Sequence, residues 1–159
     1  MRETRWGYTG QRSPAQFNMA RYCLAAAQTT PDKVALLVVS DAQAPVEQAE
    51  AWTYRQLDDA VRRVAAGLRA FGLEPGARLM IRMGNTSDYA LLFFGAIAAG
   101  CVPLPSSAQL TEQEADFLLA DSGAIANVTA TSPFAAQRAK ARSTHAEREL
   151  PFHEVFVDT

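Results

Sequence analysis

The chain has 159 residues, 48% of them hydrophobic and 20% charged, with a formal net charge of -2. That length suits one compact unit, and the composition excludes a disordered or low-complexity chain. The near-balanced charge gives no ground for a nucleic-acid or anionic-membrane partner, and the longest apolar stretch, 89–104, is too short and too broken by Gly95, Gly100 and Pro103 to cross a bilayer.

Residues 1–16 are polar and rich in Arg, Gly, Ser and Pro; they read as a flexible arm and lack the apolar run of a signal peptide. Residues 17–159 read as a single α/β subdomain. Asn18 is a good helix N-cap, and Phe17 before it can staple onto Tyr22. Cys23, Ala26 and Ala27 extend that apolar face, and Pro31 closes the segment. Val34 to Val39 is a β-branched and leucine run, the mark of a buried strand. Residues 41–50 read as a surface loop, and Ala51-Trp52-Thr53 as a short extended piece paired back on the first strand. Thr53 then caps a long helix, with Gln56 completing a capping box.

That helix carries Leu57, Val61, Val64, Ala65, Leu68 and Phe71 on one face. Asp58 with Arg62, and Asp59 with Arg63, are spaced as ion pairs on its wet side. Gly72 stands where a left-handed helix end belongs, and Pro75-Gly76 turns into a strand from Arg78 to Met83. Gly84-Asn85 makes the next turn and Ser87 the next cap. The helix from Asp88 to Ala99 is apolar nearly all round, which predicts burial on more than one side. Gly100 ends it. A short strand follows from Cys101 to Leu104, limited by Pro103 and Pro105. Thr111 with Glu114 forms a second capping box and starts a helix to about Asp121. Ser122-Gly123 turns into a strand, Ala124 to Val128. Pro133 starts a polar helix to about Arg148, and Phe152 to Asp158 reads as a last strand. Alternation of strands and helices from Val34 onward predicts an α/β fold: a mainly parallel layered sheet with helices on both faces, joined by right-handed crossovers.

The stretch WTYRQLDDAVRRVAAGLRAFGLEPGARLMIRMGNTSDYALLFFGAIAAGCVPLP resembles the N-terminal region of the adenylate-forming superfamily, which includes acyl-CoA synthetases, luciferases and peptide-synthetase adenylation domains. The residues that carry the resemblance are Thr53, Tyr54 and Leu57, then Leu68, Gly72, Leu73, Gly76 and Arg78, then Asn85, Tyr89, Gly100, Cys101, Pro103 and Leu104. The upstream run FNMARYCLAAAQTTPDKVAL is similar to the benzoate-CoA-ligase-like branch. Each of these residues also has a plain scaffold role as a cap, a packing residue or a turn, and that role suffices for it.

The resemblance implies an AMP-forming acyl-CoA or aryl-CoA ligase that uses ATP, Mg and coenzyme A. Such enzymes hold phosphate with a Ser-Gly-Thr-Thr-Gly-x-Pro-Lys-type loop, a later acidic hinge and a C-terminal lysine. None of these is in the chain, whose lysines are Lys33 and Lys140. The expectation is therefore that no residue here is catalytic, cofactor-binding or metal-binding, that the chain alone is inactive, and that no cofactor binds it. The nearest look-alike, Met83-Gly84-Asn85-Thr86-Ser87, lies at a strand-to-helix turn, where turning and capping alone explain those residue types. His145 and His153 read as surface histidines, and Thr129, Thr131 and Ser132 as loop and capping residues. Ala98 and Ala99 stand where some CoA ligases place a basic residue for the CoA phosphates. Cys23 and Cys101 read as small buried thiols and make no metal or disulfide pattern.

Partners follow from these expectations: the remaining subdomains of a parent ligase, or a homodimer through an exposed apolar face. The location expected is the cytoplasm. Two other readings compete. One is a stand-alone, non-catalytic domain that binds a partner through the same face. The other, an unrelated doubly wound nucleotide-binding domain, requires a glycine fingerprint after the first strand, where the chain reads Ser40-Asp41-Ala42-Gln43.

Overall fold

The computed structural model describes residues 17–129 and 148–151. Helix α1 (Met19–Cys23) is capped by Asn18, whose side chain accepts from Arg21 N at 3.1 Å. Phe17 and Tyr22 meet with ring centroids 5.6 Å apart and planes tilted by 50°, which forms the expected staple. A 3-10 turn, Ala25–Gln28, leads to strand β1 (Val34–Val38). Strand β2 (Glu50–Thr53) returns antiparallel against it, with Leu36 opposite Trp52 and Leu37 opposite Ala51. The pairing back of 51–53 on the first strand is thus as the sequence indicates.

Helix α2 (Tyr54–Ala70) begins with the capping box of Thr53 and Gln56. It ends with Gly72 at φ 82°, Gly72 N donating to Arg69 O and Leu73 N to Leu68 O, a pattern that satisfies the last carbonyls of the helix. Asp58 and Arg62 meet at 2.8 Å on its wet side. Strand β3 (Arg78–Met83), helix α3 (Ser87–Ala98), strand β4 (Val102–Ser107), helix α4 (Glu112–Ser122), strand β5 (Ala126–Thr129) and strand β6 (Arg148–Pro151) follow. The four last strands form one parallel sheet in the order β4-β3-β5-β6.

That order dictates where the helices go. The chain passes from β3 outward to β4 and then back past β3 to β5. Right-handed crossovers in opposite directions place their helices on opposite faces of a sheet. Side-chain alternation along β3 agrees: Leu79, Ile81 and Met83 pack into the core shared with α2 and α3, whereas Met80 packs with Ala115 and Leu119 of α4. The layers run from α4 through the parallel sheet to the α3–α2 pair and then to the β1–β2 hairpin, whose Ala35, Leu36 and Trp52 close over α2. No residue of α3 is exposed, as its apolar circumference requires.

Several expectations change. The parallel sheet begins at β3, not at Val34, because β1 is spent on the hairpin. Strand β1 is not fully buried: Val34 and Leu37, and Val39 just beyond it, are each about half exposed, since one face of the hairpin rests on α2 and the other faces outward. The cap of α3 is Thr86, one residue before the expected Ser87, because Ser87 is turned inward and buried. Strand β4 runs on through Pro103 and Pro105 to Ser107. Strand β5 starts two residues later than expected. Cys101 is buried as expected, but Cys23 is exposed because it sits on the outer side of the single turn α1. Of the tail, the helix expected from Pro133 lies outside the described residues up to Arg148, which instead opens β6. The expected strand Phe152–Asp158 lies outside them, as do residues 1–16.

Candidate functional site

In open α/β sheets, ligands sit at the carboxyl ends of the strands where the strand order reverses. Here that place is between β3 and β5. It is bordered by Met83, by the turn Gly84-Asn85-Thr86, by the first turn of α3 and by Thr129 at the end of β5. Gly84, Asn85 and Thr86 are exposed, and Thr86 makes no side-chain capping bond. Asp88 already places a carboxylate in the first turn of α3, the spot that an anion would take. Burial, and then the charge of Glu50, lift the Asp88 carboxyl above its ordinary range. Among the described residues, a second anion would meet two carboxylates and no lysine, since the one described lysine, Lys33, precedes β1. The described residues at this point do not fit an ATP phosphate, and no chemical step through ATP, Mg or coenzyme A is assigned to them.

A shallow cavity of about 470 Å³ opens between β2 and α2, lined by Glu50, Ala51, Trp52, Gln56, Asp59 and Arg63. Three of its polar side chains are already engaged. Trp52 Nε1 donates to Glu50 Oε1 at 2.7 Å, and Gln56 Oε1 accepts from Thr53 N at 2.9 Å in the capping box. Two carboxylates against one guanidinium give the cavity an acidic balance, which disfavours phosphate. Among the described residues no group of three or more His, Cys, Asp and Glu could hold a metal ion.

Of the other candidates, Thr129 is the last residue of β5, and Thr131, Ser132, Lys140, His145 and His153 lie outside the described residues. Cys101 Sγ lies 3.8 Å from Glu74 O, and burial pushes its thiol up against the opposing charge of Arg69. A raised thiol is the reverse of a reactive one. Ala98 closes α3 and Ala99, the next residue, is fully buried, so neither offers a basic contact.

Three polar residues do more than the sequence reading assigned them. Asn18 accepts from Arg21 N with Oδ1 and donates with Nδ2 to Ile97 O at 2.7 Å, which ties α1 to the end of α3 across 79 positions. The amide side chain offers both functions at once, on separate atoms. Arg78 and Arg82 share a face of β3 with Met80. Arg78 Nη1 donates to Ser122 O at 2.6 Å at the C-terminal end of α4, and Arg82 Nη2 donates to Leu110 O just before its N-cap. The alternation Arg-Leu-Met-Ile-Arg-Met was the available signal, but which helix would lie over that face was not readable from it.

These features define a class: a layered α/β scaffold with a parallel sheet between helices. The chain belongs to the AMP-binding enzyme family, whose model matches residues 23–158. It is 37% identical over 71 residues to a long-chain-fatty-acid–CoA ligase from Mycobacterium tuberculosis, covering 45% of this chain and 14% of that protein. It is 40% identical over 70 residues to a 4-hydroxybenzoate–CoA/benzoate–CoA ligase from Rhodopseudomonas palustris, covering 44% of this chain and 13% of that protein. The fold matches the crystal structure of a long-chain-fatty-acid–CoA ligase from Archaeoglobus fulgidus with a TM-score of 0.75 at 19% identity, over 92% of this chain and 30% of that one. The chain thus spans only a small share of the length of these relatives.

Proposed function

We propose that the chain is the N-terminal scaffold of an ATP-dependent, AMP-forming ligase. The parent enzyme would convert an aromatic or fatty carboxylic acid to its acyl-adenylate and pass the acyl group to coenzyme A. Residues 17–159 form one subdomain of it and 1–16 an arm. ATP, Mg and coenzyme A belong to the parent, and its remaining subdomains are this chain's partners. Cytoplasmic residence is part of the same reading; among the described residues no helix is long and apolar enough to cross a membrane. The observation that supports the reading is the match of the AMP-binding enzyme model to residues 23–158, a stretch that takes in α2, β3, α3 and β4.

In this reading no residue of the chain does chemistry, and the chain alone forms no adenylate. Purified chain is expected to give no ATP–pyrophosphate exchange that depends on an added benzoate or fatty acid. Acid-dependent exchange would overturn the assignment. Reading the frame downstream of Thr159 tests the parent: a Ser/Thr/Gly loop followed by lysine supports it.

A second reading rests on the outward face of the hairpin, where Val34, Leu37 and Val39 are exposed. Here the chain is a stand-alone domain that dimerises or binds a partner through that face. A stop codon directly after Thr159, with a concentration-dependent dimer lost on Leu37→Lys, would favour it over the first.

A further inference from the structure

Strand β4 is the outer strand of the parallel sheet, and among the described residues its one strand partner is β3. Successive residues of a strand turn their backbone N–H and C=O groups to opposite sides. Val102 N donates to Ala77 O at 2.8 Å, so the backbone groups of Val102, Leu104 and Ser106 face β3. Those of Pro103, Pro105 and Ser107 face the open side. Two of these three carry no N–H. The open edge therefore shows two successive carbonyls without donors between them, and Ser107 is its one backbone donor within the strand.

We propose that β4 is a sealed edge: the alternate prolines deny pairing to any added strand, from a second copy of this chain or from elsewhere, and leave growth of the sheet to the β6 side. A pairing strand needs donors and acceptors in alternation, and its own carbonyls opposite Pro103 and Pro105 would be buried without a partner. The prolines occupy the outward positions and spare the inward ones, so the ladder to β3 stays intact from Arg78–Val102 to Met83–Ser107. The seal answers a real hazard, because Val102 at the start of this edge is half exposed. In the separate two-stranded hairpin, β1 contains no proline and also exposes Val34 and Leu37.

The test replaces Pro103→Thr and Pro105→Thr together in the whole chain. Self-association is measured by sedimentation velocity, and inter-chain distances by spin labels on Ser107→Cys in a Cys23→Ser background. The double variant should dimerise at least roughly tenfold more tightly than the parent chain, from two recovered donors on each copy. Its labels should lie within short range across the dimer, while the unsubstituted edge shows no such pairing. The single Pro105→Thr variant reads the same effect at smaller amplitude if the double variant does not fold. Pro45→Thr, the same change away from the sheet, should leave association unchanged. A folded variant with restored threonines that associates no better than the parent, close labels across the native edge, or an equal gain from Pro45→Thr would each overturn the proposal.

Discussion

Replacing Gly95 by alanine places a methyl group inside the contact between α2 and α3. A Cβ on Gly95 lies 2.4 Å from Val64 Cγ1 and 2.8 Å from Val64 Cβ. Carbon atoms rest at about 3.5–4.0 Å, so one helix must yield by roughly an ångström. In a free helix the same substitution would stabilise by up to about 1 kcal/mol, because alanine loses less backbone entropy. Overpacking a close-packed core costs about 1–3 kcal/mol, occasionally more, and wins where both flanking helices are held by other layers. That condition holds here: Val64 and Ala96 are fully buried, and α3 is clamped between α2 and the sheet. The expected net loss is about 1–2 kcal/mol, or a fall of roughly 2–8 °C in Tm for a chain of this size. Urea unfolding followed by circular dichroism measures it. Val64→Ala removes the nearer obstacle but keeps Cβ, so it should relieve the clash in part, with a favourable coupling of about 1 kcal/mol in the double-mutant cycle. A Gly95→Ala chain as stable as the parent, or a cost unchanged in the Val64→Ala background, would refute the packing argument.

Asn18→Ser keeps a capping oxygen for Arg21 N but is too short to reach Ile97 O, and should lose about 1 kcal/mol; Asn18→Ala loses both bonds and about 2 kcal/mol. An Asn18→Ser chain as stable as the parent in urea titrations would show that the tie to α3 contributes nothing, and equal losses for the two variants would show the same of the cap. The backbone and side chain of Thr111 donate to the Glu114 carboxylate, each at 2.8 Å, and hold its pKa below the ordinary carboxylate range. A carboxyl lowered on folding contributes stability that is present above its unfolded pKa and lost as pH falls through its folded pKa. Glu114→Gln keeps the capping box, as Gln56 does in α2, without the charge. Its deficit against the parent chain should therefore shrink as pH is lowered from neutral into the acid range, and a deficit constant with pH would contradict the assignment. The Asp88 carboxyl has the opposite sign: raised by burial and by Glu50, its charge costs stability above its folded pKa. Asp88→Asn should close or reverse any gap with the parent at neutral pH and lose that advantage on acidification, as read from Tm against pH.

Local chemistry was readable where a feature closes within a few residues. Both capping boxes, the Phe17–Tyr22 staple, the left-handed glycine after α2 and the apolar stripe of α2 each depend on partners one turn away or on one rotation period, and the structure holds all of them. The α/β class was readable for the same reason, because alternating periods are a property of the string. What the sequence could not carry was the choice among partners distant along the chain. The run Val34–Val38 reads the same whether it enters a parallel sheet or pairs with β2, and only the hairpin shows that one of its faces stays bare. Pro103 and Pro105 looked like the end of a strand. Their alternation is harmless once β3 takes the inward bonds, and that is decided by which side β3 lies on. The tie from Asn18 to Ile97, the fit of Gly95 against Val64 and the reach of Arg78 to Ser122 likewise join residues brought together only by packing of the layers. Short-range hydrogen bonds and helical periodicity are written in neighbouring residues, whereas strand order and face-to-face contact are settled by burial of the whole chain at once.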